Sequence, residues 1–124
     1  MLKLKKPLLA IFFSLLSFGA WADARCQKLS DFADNNYHEL DALEIMEVKA
    51  QKGTRVYFHN APSQNCQINQ KFIIPNDQVV AYYLIKNEGQ EWLYVIYTGK
   101  NNIKTTGWVK KKNFKFIKTT AMDG

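Results

Sequence analysis

Cysteine and histidine are scarce in this chain, with two of each in 124 residues. The histidines are His38 and His59, and neither they nor the cysteines show the H-x-x-x-H or C-x-x-C spacing of a metal site. No glycine-rich phosphate loop and no G-x-S-x-G motif occurs. The acidic residues before position 48 lie in a polar stretch, which gives no reason for a raised carboxyl pKa. The sequence therefore predicts a protein that is not an enzyme and that holds no metal and no cofactor.

Long hydrophobic runs are limited to one, over residues 8–16, and it follows three lysines at the start of the chain. Small residues allow cleavage after Ala22 or Ala24. This arrangement is typical of a secretory signal peptide, and the run is shorter than the ~20 residues that a membrane-spanning helix needs. We therefore predict a signal peptide over residues 1–22, no transmembrane segment after its cleavage, and a periplasmic or secreted protein.

The two cysteines, Cys26 and Cys66, are an even number in a chain predicted to be exported, and this favours a disulfide. The bond would close a loop of about forty residues, for which the chain-entropy model gives roughly 4 kcal/mol of stabilisation. The alternative is a cysteine nucleophile that works with His38 or His59. Nothing around either cysteine indicates an activated thiol.

Charge is unevenly distributed after the signal peptide. Residues 23–47 carry seven acidic and two basic side chains, a net charge of −5, whereas residues 48–124 carry twelve basic and four acidic ones, a net charge of +8. Two interpretations stay open. The segments neutralise each other in the folded molecule, or the basic part forms a face for an acidic partner.

Three segments follow the signal peptide. Residues 23–43 form an acidic N-terminal extension, which we expect to be a loop with room for one short helix. Residues 44–118 contain alternating strand-like runs with turn signals about every eight to twelve residues, which predicts an all-β fold. Within this segment the sequence predicts a turn-rich loop over residues 60–70, a hairpin turn over residues 86–90 and a return strand over residues 92–98. Gly107 would permit a bend or a close backbone approach. A small barrel suits this length better than a sandwich. Residues 119–124 are a polar tail.

Four short motifs follow one another along the strand-rich segment. They are Val-Tyr-Phe-His-Asn-Ala-Pro-Ser at 56–63, Asn-Asp-Gln-Val-Val-Ala at 76–81, W-x-x-V at 92–95 and G-W-V at 107–109. Their order and spacing resemble the bacterial SH3 (SH3b) domain family over roughly residues 44–117. Asn76 replaces the family's turn glycine, and asparagine tolerates the left-handed backbone of such a turn. The resemblance implies a small SH3-like barrel, and SH3b domains often target the cell wall.

Strand alternation predicts which side chains share a face. If Val95 faces the core, then Leu93 and Tyr97 face it too. The outer face would carry Trp92, Tyr94, Ile96, Val80, Tyr82 and Leu84. Such a face is too apolar for an ordinary solvated surface. Either it binds a ligand, or the acidic N-terminal segment, pulled across the barrel by Cys26, covers it.

A run of three lysines, Lys110, Lys111 and Lys112, follows the last motif, and Lys115 and Lys118 lie close by. Such a run is usually solvated surface or protection of an edge strand. Beside aromatic side chains it could also contact an acidic protein, anionic lipid head groups or an anionic polymer. Nucleic acid suits the chemistry but not an exported location.

These features together predict a non-catalytic exported binding module. The candidate partner-binding residues are Trp92, Tyr94, Tyr82, Trp108, Lys110, Lys111 and Lys112. The first hypothesis is that the module binds a protein partner, as an immunity or inhibitor protein does when it blocks an exported toxin or a cell-wall hydrolase. The alternatives are a peptidoglycan-binding module that uses the aromatic surface and a structural subunit of an envelope assembly.

Overall fold

The computed structural model describes residues 23–120. The predicted signal peptide and residues 121–124 of the predicted tail lie outside the described residues. Helix α1 covers residues 23–36. The strands are β1 His38–Val48, β2 Val56–His59, β3 Gln67–Ile73, β4 Gln78–Asn87, β5 Gln90–Thr98, β6 Lys104–Lys110 and β7 Phe114–Thr120. Short 3-10 turns cover Gln64–Cys66, Lys100–Asn102 and Lys111–Asn113.

All strand pairings are antiparallel, and the strands form one sheet in the order β3-β2-β6-β5-β4-β1-β7. The predicted all-β class is confirmed. The predicted barrel is not, because the sheet is not closed: β3 and β7 are its two edges and do not pair with each other within residues 23–120. No helix in this part of the chain has the length and apolar character that crossing a membrane requires.

One face of the sheet carries the main hydrophobic core. Its buried members are Met46, Val48, Val56, Phe58, Ile73, Val79, Ala81, Leu93, Val95, Val109 and Phe114. Both edge strands contribute, β3 through Ile73 and β7 through Phe114, so the sheet curls around this cluster. The predicted inward positions of Leu93 and Val95 are confirmed, since both are buried here.

A β-bulge between Ala81 and Tyr83 changes the facing of side chains along β4. Beyond the bulge Leu84 packs against the main core, whereas Tyr83 and Ile85 pack on the opposite face. The prediction that Leu84 points outward is therefore wrong. The extra residue in one strand reverses the two-residue alternation from that position onward.

The N-terminal segment folds as a helix followed directly by a long strand. The last helical bond joins the Tyr37 backbone N–H to the Ala33 carbonyl oxygen at 3.0 Å. The side-chain amides of Asn35 and Asn36 donate to carbonyl oxygens four residues earlier, those of Asp31 and Phe32, which adds bonds within the last turns of the helix. Because β1 begins at His38, the strand-rich part starts six residues before the predicted boundary at residue 44.

Two predicted turns and one predicted close approach are found in the sheet. Asn76 has φ of 76°, the left-handed conformation expected of it, and the β4–β5 hairpin turns through Glu88 and Gly89 with φ of 55° and 71°. At Gly107 a Cβ atom would lie 3.2 Å from the His59 carbonyl oxygen. Glycine there lets β2 and β6 approach each other closely.

Candidate functional site

The outer aromatic face is covered by α1. Trp92 is fully buried and Trp108 is 3% exposed, and both pack with Ile85 and with Ala33 of the helix. The indole Nε1 of Trp92 donates to the carbonyl oxygen of Asn87 at 3.1 Å. The structure therefore agrees with the interpretation in which the N-terminal segment covers this face. Both tryptophans belong to a second core layer.

The disulfide that holds the helix is the predicted one. Cys26 in α1 and Cys66 in the Gln64–Cys66 turn are bonded, with their Cα atoms 5.7 Å apart, a separation typical of disulfides. No free cysteine is left within residues 23–120. The alternative of a cysteine nucleophile is therefore wrong, because neither sulfur is a thiol.

The predicted tyrosines lie in different places. Tyr94 is half-buried, and its ring centroid is 5.4 Å from that of Trp108 in an edge-to-face arrangement. Tyr82 occupies the β4 bulge, where its nearest aromatic neighbour is Tyr83 at 6.2 Å. The structure therefore brings Tyr94 to the tryptophan pair and leaves Tyr82 outside this cluster.

A row of aromatic rings runs from the helix end to the sheet centre. Tyr37 stacks on Tyr83 at 4.0 Å, Tyr83 lies 5.8 Å from Tyr94, and Tyr94 meets Trp108. The row lines an open cleft of about 550 Å³ with polar walls that include Ser30, Asp34, Asn60 and Lys71. We name this feature the aromatic cleft. Tyr37 and Tyr83 were not predicted to belong to a site, although Leu29, Ala33 and Tyr37 show the four-residue helical spacing that indicates a buried helix face.

His59 forms part of the wall of the aromatic cleft. The side chain is 3% exposed, and its ring stands edge-on to Trp92 with the centroids 5.0 Å apart. Nδ1 lies 3.2 Å from the Trp108 carbonyl oxygen, so Nδ1 carries the proton and donates. Burial lowers the pKa of His59, which favours the neutral ring. Nε2 has no hydrogen-bond partner within the described part of the chain.

The β4–β5 turn fixes the loop that carries Cys66. Glu88 accepts two hydrogen bonds with its carboxylate, from the Ser63 hydroxyl at 2.7 Å and from the Gln64 backbone N–H at 2.8 Å. The side-chain amide of Asn87 donates to the Pro62 carbonyl oxygen at 2.9 Å. The sequence identified this turn only as a hairpin connection. Its second role depends on contacts about 25 residues away in the chain.

We expect Glu88→Gln to weaken the fold near neutral pH and to flatten its response to acid. The hydrogen bonds from Ser63 and Gln64 lower the pKa of Glu88 from its ordinary value of 4.5. A carboxyl with a lowered folded-state pKa stabilises the fold above pH 4.5, and this stabilisation is lost as the pH falls through the folded-state value. Because Glu88 is exposed, we expect the loss at pH 7 to be about 1 kcal/mol, measured by urea denaturation.

The control for this variant is Glu91→Gln. Glu91 is also exposed and forms one ion pair, with Lys111 at 3.5 Å, and a surface pair of this kind contributes little. Removing the Glu88 carboxyl should remove its share of the pH dependence of stability. Parallel curves of unfolding free energy against pH for wild type and Glu88→Gln between pH 3 and 7 would therefore contradict the assigned role of Glu88.

The three lysines of the run have different partners. The ammonium group of Lys110 donates to the side-chain oxygen of Gln64 and lies 6.0 Å from the Trp92 ring centroid. Burial is the main cause that lowers the pKa of Lys110, and the charge of Lys112 lowers it further. Lys111 pairs with Glu91, whereas Lys112 is exposed and forms no ion pair among residues 23–120.

Exposed cationic and apolar groups occur together along β7. Phe116 and Ile117 are 55% and 38% exposed, and Lys115 and Lys118 flank them. We name Lys112, Lys115, Phe116, Ile117 and Lys118 the β7 surface. A groove of about 360 Å³ lies beside it, lined in part by Met46, Lys49, Lys112, Phe114 and Phe116.

The carboxylates and nitrogen ligands of the described residues do not converge. Within residues 23–120 no group of three or more histidine, cysteine, aspartate or glutamate side chains could hold a metal ion. Two concave features lie beside the predicted aromatic and cationic residues: the aromatic cleft, with His59 in its wall, and the groove beside the β7 surface. Two others border α1 near the disulfide.

Comparisons of the chain with protein-family models, with curated proteins and with solved structures returned no match. The SH3b resemblance accordingly stays a prediction.

Proposed function

We propose that this chain is a non-catalytic binding module of the periplasm or another oxidising, extracytoplasmic compartment, and that it binds an acidic protein partner. The β7 surface carries this proposal. It is an exposed strand at the edge of the sheet, in which Phe116 and Ile117 lie between two lysines in sequence. The disulfide supports the compartment, since such bonds persist where the surroundings are oxidising.

Charge supports an acidic partner. Lys112 and Lys118 are exposed and form no ion pair within residues 23–120, so their charges are available to a ligand. Exposed apolar side chains within a charged rim are typical of protein interfaces, and opposite charges accelerate encounter and select partners. A module of this kind would act as an inhibitor or immunity protein does, by covering a site on a toxin or a hydrolase. We further propose that it is of the SH3b type, on the order of its four motifs.

A photo-crosslinking residue at position 116 tests the proposal in cells that produce and export the protein. We expect a discrete adduct with one acidic protein. The adduct should be largely lost in Lys112→Glu/Lys118→Glu, because the interaction depends on these charges. The matched control places the same residue at position 103, where Ile103 is 66% exposed and lies far from β7 in the strand order.

Two outcomes would contradict the proposal of an acidic protein partner. One is an adduct at position 116 that survives the charge reversal. The other is co-sedimentation with peptidoglycan sacculi that disappears in Tyr94→Ala and survives in Lys112→Glu/Lys118→Glu. The second result would support the peptidoglycan-binding alternative, for which the aromatic cleft offers aromatic rings beside polar groups.

A further inference from the structure

The outer edge of β7 is open. On its inner side β7 pairs with β1 from Leu43↔Thr120 to Val48↔Phe114. In an antiparallel strand the alternate backbone N–H and C=O groups point away from that partner. Within residues 23–120 no other strand pairs with this side of β7. The edge is therefore a template for an additional strand.

A bulge places two lysines of β7 on one face. The register shifts between Ile45 and Met46, so that Lys115 pairs with Glu47 and Lys118 pairs with Ile45. Ile45 and Glu47 are two residues apart and point to the same side of the sheet. Lys115 and Lys118 consequently share the outer face, although they are three positions apart in sequence.

The other face of β7 continues the core. Phe116 pairs with Met46 and Phe114 pairs with Val48, and Met46, Val48 and Phe114 are buried in the main core. Phe116 is the next member of this row and is left half-exposed at the edge of the sheet. An apolar side chain from a neighbouring strand would extend the core by packing against it.

The two edges of the sheet differ in charge. The residues of β3 include one lysine, Lys71, and the nearby Arg55 is engaged over the Phe72 ring at 4.4 Å. On β7 the lysines would face each other if two copies met edge to edge, which is unfavourable. Lys115 already pairs with Glu47 at 3.1 Å, whereas Lys118 forms no ion pair within residues 23–120 and would pair favourably with a carboxylate. The β7 edge thus disfavours a second copy of the chain and favours an acidic strand.

We infer that the partner binds by strand addition: an extended segment pairs with β7, placing a carboxylate against Lys118 and an apolar side chain against Phe116. This inference rests on the proposed function and specifies its geometry. Main-chain hydrogen bonds supply affinity in such complexes, and the alternating side chains supply specificity. The recognised chemistry is an extended segment in which acidic and apolar residues alternate.

A synthetic eight-residue peptide of alternating glutamate and valine serves as the probe for the full chain. We expect it to slow hydrogen exchange of β7 backbone amides by about tenfold at saturation and to leave β3 amides unchanged. Lys118→Glu should weaken peptide binding by about fivefold at low salt. A peptide with the same residues N-methylated at every position keeps the charges but has no backbone N–H donors along either edge, and we expect no protection from it.

The outcomes separate the two proposals. Equal binding of the N-methylated peptide, or protection of β3 amides instead of β7 amides, would overturn strand addition. If the crosslinked acidic partner at position 116 were still found, the proposed function would stand. Absence of both peptide binding and the crosslinked adduct would overturn the proposed function together with this inference.

Discussion

Replacement of Trp92 by alanine is expected to lower the free energy of unfolding by about 3–5 kcal/mol. Trp92 is fully buried between α1 and the sheet, and it contacts the edge of the His59 ring. Truncation removes the largest fully buried side chain of the described residues and leaves the Asn87 carbonyl oxygen without its indole donor. Both a cavity and an unsatisfied acceptor would result.

Urea denaturation of the purified variant measures this loss, provided that the slope of the transition is unchanged. Phe32→Ala is the matched control, because Phe32 is an aromatic residue of α1 that is 53% exposed. Its replacement should change stability by no more than about 0.5 kcal/mol. A similarly small effect for Trp92→Ala would mean that Trp92 is not covered, and the open aromatic face would again be a candidate ligand surface.

The strands and turns that the sequence predicted correctly depend on local signals. Residues 92–98 are rich in aromatic and β-branched side chains, and glycine or asparagine marks the turns on both sides, so short-range pattern was sufficient for β5. The strand β3 was missed between Gln67 and Lys71. Its residues are mostly polar because they lie at a sheet edge in contact with solvent, and they give no alternation to detect.

The facing of side chains was predictable only as far as the first bulge. A bulge is set by the geometry of the partner strand, and nothing in the residues around Ala81 indicates it. The same limit applied to the lysines, since the sequence grouped Lys110, Lys111 and Lys112 by proximity along the chain. In the sheet, the bulge in the β1–β7 pairing brings Lys115 and Lys118 together instead.

The sequence allowed the N-terminal segment to cover the aromatic face, because a Cys26–Cys66 disulfide pulls that segment across the sheet. It predicted at most a short helix there, since residues 23–36 contain few apolar side chains. Ala33 is the one residue of α1 in the buried cluster. Because this helix contributes so little apolar surface, its attachment to the sheet depends strongly on the disulfide.

The double variant Cys26→Ser/Cys66→Ser is expected to lose about 4 kcal/mol of stability. The disulfide joins residues 40 apart, and removing a cross-link of this span increases the entropy of the unfolded chain by that amount in the chain-entropy model. For a domain of this size the loss is a large part of the total stability. We also expect α1 to detach more often than the sheet unfolds, because local opening follows the weakest attachment.

Two measurements test this expectation. Urea denaturation should show the lower stability, and acrylamide should quench tryptophan fluorescence more strongly in the double variant under native conditions, since Trp92 and Trp108 lie beneath α1. Oxidised wild type is the reference, and wild type reduced under native conditions should behave like the double variant. Unchanged quenching with lowered stability would show that packing of Ala33 and Tyr37 alone holds the helix. Unchanged stability would contradict the contribution assigned to the disulfide.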